Sequence, residues 1–140
     1  MFGRKEEAPE SFPVRKTEAE WREALSPEAF RVLRQHGTER PGSSPLNAEK
    51  RRGLFRCAGC GAALFDSAAK YESGTGWPSF WAPIEGAIGT RTDRSFFMVR
   101  TEVHCAACGG HLGHVFPDGP PPTGLRYCMN GAALAFEPAE

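Results

Sequence analysis

Two Cys-x-x-Cys units, Cys57-Ala58-Gly59-Cys60 and Cys105-Ala106-Ala107-Cys108, constrain this chain more than any other feature. A Cys-x-x-Cys turn presents two sulfurs to one point, and two such turns supply the four thiolates of a tetrahedral zinc site. Ala58, Gly59, Ala106 and Ala107 are small enough for the backbone to wrap closely around an ion. The segment between the units, residues 61–104, exceeds the roughly 15–20 residues of a compact zinc ribbon. It must therefore form much of a domain, with the metal pinning two distant hairpins together. A thioredoxin-type redox reading of either unit would need a βαβ pattern, which is missing. Four thiolates close the coordination shell and leave no position for a catalytic water. The expected cofactor is thus one structural Zn2+ held by Cys57, Cys60, Cys105 and Cys108.

The chain has five cysteines, so even a full disulfide framework would leave one thiol over. No apolar run approaches the roughly 20 residues of a membrane-spanning helix. The basic pair Arg4-Lys5 is followed by no apolar stretch, unlike a signal peptide. The expectation is a cytoplasmic protein with no membrane partner, in a compartment where paired cysteines more often mean metal or catalysis than disulfides. Lys plus Arg equals Asp plus Glu, 17 each. That balance argues against a nucleic-acid partner, which needs a basic face. The basic run Lys50-Arg51-Arg52 reads as a solvated loop.

At 140 residues the chain fits one domain. Residues 1–16 are polar and aperiodic and read as a flexible tail, leaving a single domain over residues 17–140. Thr17-Glu18-Ala19-Glu20 is a capping box that opens a first helix. Ser26-Pro27-Glu28 opens a second, with Ala29, Phe30 and Leu33 as its apolar stripe and Gly37 as its stop. Beyond Gly53 the segments are short, apolar or alternating, and punctuated by glycine and proline. Strands are expected at 54–57, 62–65, 96–103, 113–116, 125–129 and 133–136. In the third of these, Phe97, Val99 and Thr101 alternate with Met98, Arg100 and Glu102, as in a half-buried strand. The fold expected is mainly β, small and antiparallel, with two short helices in front.

Cys128 lies in the apolar segment Arg126-Tyr127-Cys128-Met129-Asn130. Alone it reads as a buried, inert thiol. On a strand, however, Arg126 and Asn130 share its face, and a nearby cation favours thiolate. His111-Leu112-Gly113-His114 adds two imidazoles suited to proton transfer near neutral pH. Ser73-Gly74-Thr75-Gly76-Trp77-Pro78-Ser79-Phe80-Trp81 places three aromatics on an irregular stretch, either a small core or the wall of a pocket. A zinc-pinned β domain that only binds a ligand in such a pocket remains open at this point.

Together the Cys-x-x-Cys pairs, residues 73–80, Gly110-His111-Leu112-Gly113-His114-Val115-Phe116-Pro117-Asp118-Gly119-Pro120, Pro122-Thr123-Gly124 and residues 126–130 closely resemble the type B peptide-methionine sulfoxide reductases, over about residues 17–137. Repair of methionine sulfoxide by such enzymes is a known branch of sulfur redox chemistry. The resemblance implies a small twisted antiparallel β barrel of two sheets. It also implies reduction of the R epimer of methionine S-oxide, free or in proteins. Cys128 corresponds to the nucleophile that is left as a sulfenic acid, His114 to the residue assisting proton delivery, and Asn130 to one that orients the site. Trp77, His111, Phe116 and Arg126 fall in the substrate site, Trp77 packing on the substrate's methyl group. Many family members carry a second redox cysteine where this chain has Thr75, and many have Ser where it has Gly131, a change without a functional account here. With four cysteines on zinc, Cys128 then lacks an internal partner. Its expected reductant is an outside thiol, thioredoxin or a small molecule, serving an enzyme expected to be a monomer.

Overall fold

The computed structural model describes residues 12–139. Helix α1 (Glu18–Ala24) begins at the expected capping box, with Glu20 N donating to Thr17 Oγ1 at 3.1 Å and Thr17 N to Glu20 Oε1 at 2.8 Å. Helix α2 (Pro27–Gln35) has Ser26 as its cap and proline in its first turn. Its C-terminus differs from expectation by one residue: His36, not Gly37, takes the left-handed conformation, at φ 57°. Glycine is needed next to it because a Cβ on Gly37 would stand 2.9 Å from the Arg31 carbonyl oxygen, which accepts from Gly37 N. Phe12 and Val14, inside the stretch expected to be a tail, lie on the second Cys-x-x-Cys turn, with Val14 N donating to Ala107 O at 2.8 Å. Residues 1–11 fall outside the described part of the chain.

The architecture is mainly β, in two antiparallel sheets with two short helices, as expected. One sheet is formed by β1 (Gly53–Cys57), β2 (Ala63–Asp66) and β9 (Leu134–Pro138), in the order β2-β1-β9. The other contains β3 (Lys70–Tyr71), β4 (Ser79–Phe80), β5 (Ile88–Asp93), β6 (Arg100–Cys105), β7 (His111–Phe116) and β8 (Arg126–Met129), in the order β3-β4-β8-β7-β6-β5. One core lies between them. Phe65 stacks on Phe80 with ring centroids 4.2 Å apart, and Phe55 meets Phe80 edge-on at 5.0 Å. All three rings are fully buried, each contributing about 1.5–3 kcal/mol. Trp21, Phe30, Val32 and Leu33 close the core from the helical side, α2 packing on β7.

The expected strands omit β3, β4 (in a stretch expected to be irregular) and β5, and one expected strand is misplaced. Strand β5, Ile-Gly-Thr-Arg-Thr-Asp, carries almost no apolar pattern because it is an edge strand with its centre exposed. The strand expected at 96–103 is instead a 3-10 turn at Ser95–Phe97 followed by β6 from Arg100. Phe97, at φ 58°, and Val99 face outward at 108% and 68% exposure. Glu102, expected on the open face, is 3% exposed. The expected alternation is absent: Phe97, Met98 and Val99 are all exposed, while Glu102, Val103 and His104 are all buried.

Close packing of β7 against β8 depends on Gly113. A Cβ there would lie 2.1 Å from the Cys128 carbonyl oxygen and 3.0 Å from Met129 Cα, both backbone atoms that cannot swing aside. Gly113→Ala is expected to lower stability by about 1–3 kcal/mol, read as an earlier urea midpoint at unchanged m-value. An unchanged midpoint would show that the two strands are not held this tightly.

Candidate functional site

The four paired cysteines meet at one end of the molecule. Cys57 ends β1, Cys60 follows in the turn to β2, Cys105 ends β6, and Cys108 precedes β7. Their sulfurs all lie within 4.8 Å of one another. Cys57 Sγ is 3.7 Å from Cys108 Sγ, and Cys60 Sγ is 3.6 Å from Cys105 Sγ. A tetrahedron with metal–sulfur bonds of about 2.3 Å has edges of about 3.8 Å, so the quartet fits zinc without rearrangement. Backbone geometry holds both turns ready: Gly61 N donates to Cys57 O at 2.9 Å, and Gly109 N to Cys105 O at 2.8 Å. These four residues could hold a metal ion and offer it only sulfur.

Cys128 is elsewhere, in β8, directly opposite His114 of β7 on one side and Ser79 of β4 on the other. Directly opposed residues of antiparallel strands project from the same face with Cβ atoms about 4.5–5.5 Å apart. Both side chains line a cavity of about 300 Å³, together with Trp77, Phe116, Arg126 and Asn130. Six of the seven residues expected in the catalytic and substrate positions are thus gathered around one hollow. The seventh, His111, is not in its lining. It is buried behind His114, their rings edge-on with centroids 5.5 Å apart, and its Nδ1 is 2.8 Å from Glu102 Oε2.

Each side chain around the cavity is held by a second group. Asn130 Oδ1 accepts from Glu39 N at 2.9 Å and Asn130 Nδ2 donates to Leu112 O at 3.0 Å, so both ends of the amide are used in joining loop, β7 and β8. The indole of Trp77 donates to Glu39 O at 3.1 Å, fixing the plane of the ring. Glu39 is buried, and its two carboxylate oxygens accept from Gly131 N and Ala132 N, each at 2.8 Å. Arg126 does not reach for the sulfur alone. Its guanidinium makes two bonds to Asp118, at 2.9 and 3.2 Å, and sits over the Phe116 ring at 4.5 Å.

Burial pushes the Cys128 thiol above its ordinary pKa, and a contact from the Thr75 hydroxyl and the Arg126 charge pull the other way without prevailing. Arg126 does favour the thiolate, as expected, but desolvation outweighs it and the nearby Asp118 acts against it. Thr75 Oγ1 is 3.9 Å from Cys128 Sγ and belongs to a hydroxyl cluster with Ser73, which in turn contacts Ser79. Burial likewise lowers the pKa of His114, against the raising effect of its bond to Asp93. Asp93 Oδ2 is 2.7 Å from His114 Nε2, and bonds from His114 and from Ser95 N hold its carboxyl well below the usual carboxylate range. An ionised Asp93 can only accept, so the proton of neutral His114 sits on Nε2 and its Nδ1 carries a free lone pair.

Sequence reasoning missed Glu39, Asp93, Arg100 and Glu102. The half-buried Asp93 ends the polar edge strand β5, and the buried Glu39 lies in the loop after α2; neither position carries a pattern that marks a functional acid. Glu102 is ringed by His36, His104, His111 and Arg91. Burial alone would raise its pKa, but those partners outweigh it and keep the carboxyl ionised.

The SelR domain family matches residues 25–138. A peptide methionine sulfoxide reductase MsrB of Agrobacterium fabrum is 56% identical over 126 residues, covering 89% of this chain and 93% of that protein. An MsrB of Thiobacillus denitrificans is 56% identical over 126 residues, with 89% and 96% covered. One from Leptospira interrogans is 51% identical over 128 residues, with 91% and 98% covered.

The sulfur quartet makes a direct prediction. Elemental analysis of purified protein should find one zinc per chain. Cys105→Ser should lose it and destabilise the fold by several kcal/mol, since metal binding and folding share one free energy. Full stability with no bound metal would reject the site.

Proposed function

The chain belongs to the SelR domain family of MsrB-type peptide methionine sulfoxide reductases and is an oxidoreductase, and from that premise we propose how its residues carry the reaction. The substrate is the R epimer of methionine S-oxide, free or within a polypeptide. The observation that carries the reading is the opposition of Cys128 and His114 at one cavity, with Asp93 fixing the imidazole and Trp77 beside them. A soft methyl–sulfur group suits the indole face, which is held in place from behind by Glu39.

At rest the thiol and the imidazole are both neutral. With substrate in the cavity, Cys128 gives its proton to His114 Nδ1 and becomes the nucleophile. The imidazolium, stabilised by Asp93, passes the proton to the sulfoxide oxygen, which leaves the substrate sulfur only once protonated. Oxygen is transferred overall to Cys128: thiol plus sulfoxide gives sulfenic acid plus thioether, so methionine is reduced and the cysteine oxidised. Two outside thiols, on thioredoxin or a small molecule, then return the sulfenic acid to thiol, releasing one water and one disulfide. Thr75 supports this route, because it offers a hydroxyl where an internal disulfide partner would be needed. We assign Cys57, Cys60, Cys105 and Cys108 to one structural Zn2+, whose closed shell supplies rigidity and no chemistry to the cavity. A reducing compartment such as the cytoplasm suits both thiol sets.

Cys128→Ser should abolish reduction of the R epimer while retaining zinc and fold, and the wild-type enzyme should leave the S epimer untouched. Retained turnover in the serine variant would reject the nucleophile. The pH profile carries a sign. His114 must be neutral to accept the proton, and its pKa is lowered; Cys128 must hold a proton to give, and its pKa is raised. Single-turnover kcat/KM should therefore form a broad plateau, its acid limb below the ordinary histidine value and its alkaline limb above the ordinary thiol value. Because Asp93 raises the His114 pKa, Asp93→Asn should move the acid limb lower still and reduce kcat by about 10- to 100-fold. An acid limb that stays put would remove Asp93 from the proton path.

A further inference from the structure

We propose that the tip between β5 and β6, formed by Phe97, Met98 and Val99, is a docking surface for apolar residues flanking the oxidised methionine of a polypeptide substrate. The inference rests on the reading of the cavity as a methionine sulfoxide site. Among the described residues, the exposed large apolar side chains are these three, at 108%, 48% and 68%. They are consecutive in the chain, between a 3-10 turn and β6, and stand outside the core. Phe97 adopts φ 58°, an unfavourable conformation for an aromatic residue, and its side chain is fully exposed. Exposed apolar patches on a well-packed domain mark interaction sites.

One stem of the tip ends in the cavity lining and the other at the carboxylate behind His114. Asp93, the last residue of β5, holds His114, and the same carboxylate accepts from Ser95 N at 3.0 Å and Ser95 Oγ at 2.9 Å at the start of the tip. Arg100, the first residue of β6, lines the cavity and reaches Asp93 at 3.4 Å. Val99 is thus one peptide from the lining, and Phe97 Cα is within about 11 Å of Arg100 Cα. An extended substrate advances about 3.5 Å per residue, so side chains two to four positions from a sulfoxide at Cys128 come within reach of the tip. The chemistry of the damage supplies the occupant. Methionine oxidation disrupts apolar interiors, so a segment opened by it displays apolar neighbours beside the sulfoxide. A free amino acid has none to offer.

The test compares wild type with Phe97→Ser/Val99→Ser, two exposed positions outside the catalytic machinery. The substrates are N-acetyl-methionine R-sulfoxide, a peptide with Leu and Val flanking the R sulfoxide, and the same peptide with Ser flanks, all with dithiothreitol and then with thioredoxin. The expected result is an about tenfold rise in KM for the apolar peptide alone, with either reductant and with kcat held. Equal effects on all three substrates, or none on the apolar peptide, would overturn the proposal. A loss confined to the thioredoxin assays would assign the tip to the reductant and overturn it too. So would a wild-type dimer in sedimentation that the variant dissociates. Failure of wild type to turn over any of the three would instead sink the underlying reading of the cavity.

Discussion

In the ladder between β7 and β8, His114 and Cys128 are directly opposed, as are Gly113 and Met129. A slip of one residue would send the imidazole and the thiol to opposite faces of the sheet. Everything the cavity can do depends on that register, and Gly113 lets the strands approach closely enough to keep it. Asn130 and Glu39 then extend the same register sideways, one fastening β8 to Leu112 and the other fastening the turn after β8 to the loop after α2. The face bearing His114 and Cys128 is thus fixed by backbone pairing first and by buried polar contacts second.

The sulfur quartet acts on the same register from the far end. Cys105 and Cys108 bracket the turn joining β6 to β7, while Cys57 and Cys60 bracket the turn joining β1 to β2. Joining the four through one ion would tie the two sheets together beside α2, whose Arg34 donates to Cys108 O at 3.0 Å. It would also keep four reactive thiols away from a site that handles oxidants. Cys128 would then be the one thiol left to react, its pKa held up by burial.

Much of this was legible in the sequence. The spacing of the cysteines foretold a quartet pinning two hairpins, and the capping residues of both helices did what their identities imply. The resemblance gathered six residues that the fold brings to one cavity. What escaped were groups whose meaning is set by burial rather than by identity. Glu102 alternates as a solvent-facing residue should, yet lies under three histidines, because a carboxylate with enough cationic and hydrogen-bonding partners can be buried at tolerable cost. Asp93 sits on a strand too polar to be recognised, and the desolvation that outweighs the pull of Arg126 on Cys128 has no signature in the sequence. His111 matched a site motif but stands behind the site. In each case the neighbours that folding brings together decide.

The central claim is a division of labour: four cysteines hold metal and one carries the electrons. Mass spectrometry of the zinc-loaded protein, treated with methionine R-sulfoxide without reductant and trapped with dimedone, tests it directly. The account predicts a single adduct on Cys128, with the zinc retained and the other four cysteines unmodified after unfolding. A disulfide between Cys128 and any of the other four, formed in the same turnover, would contradict it.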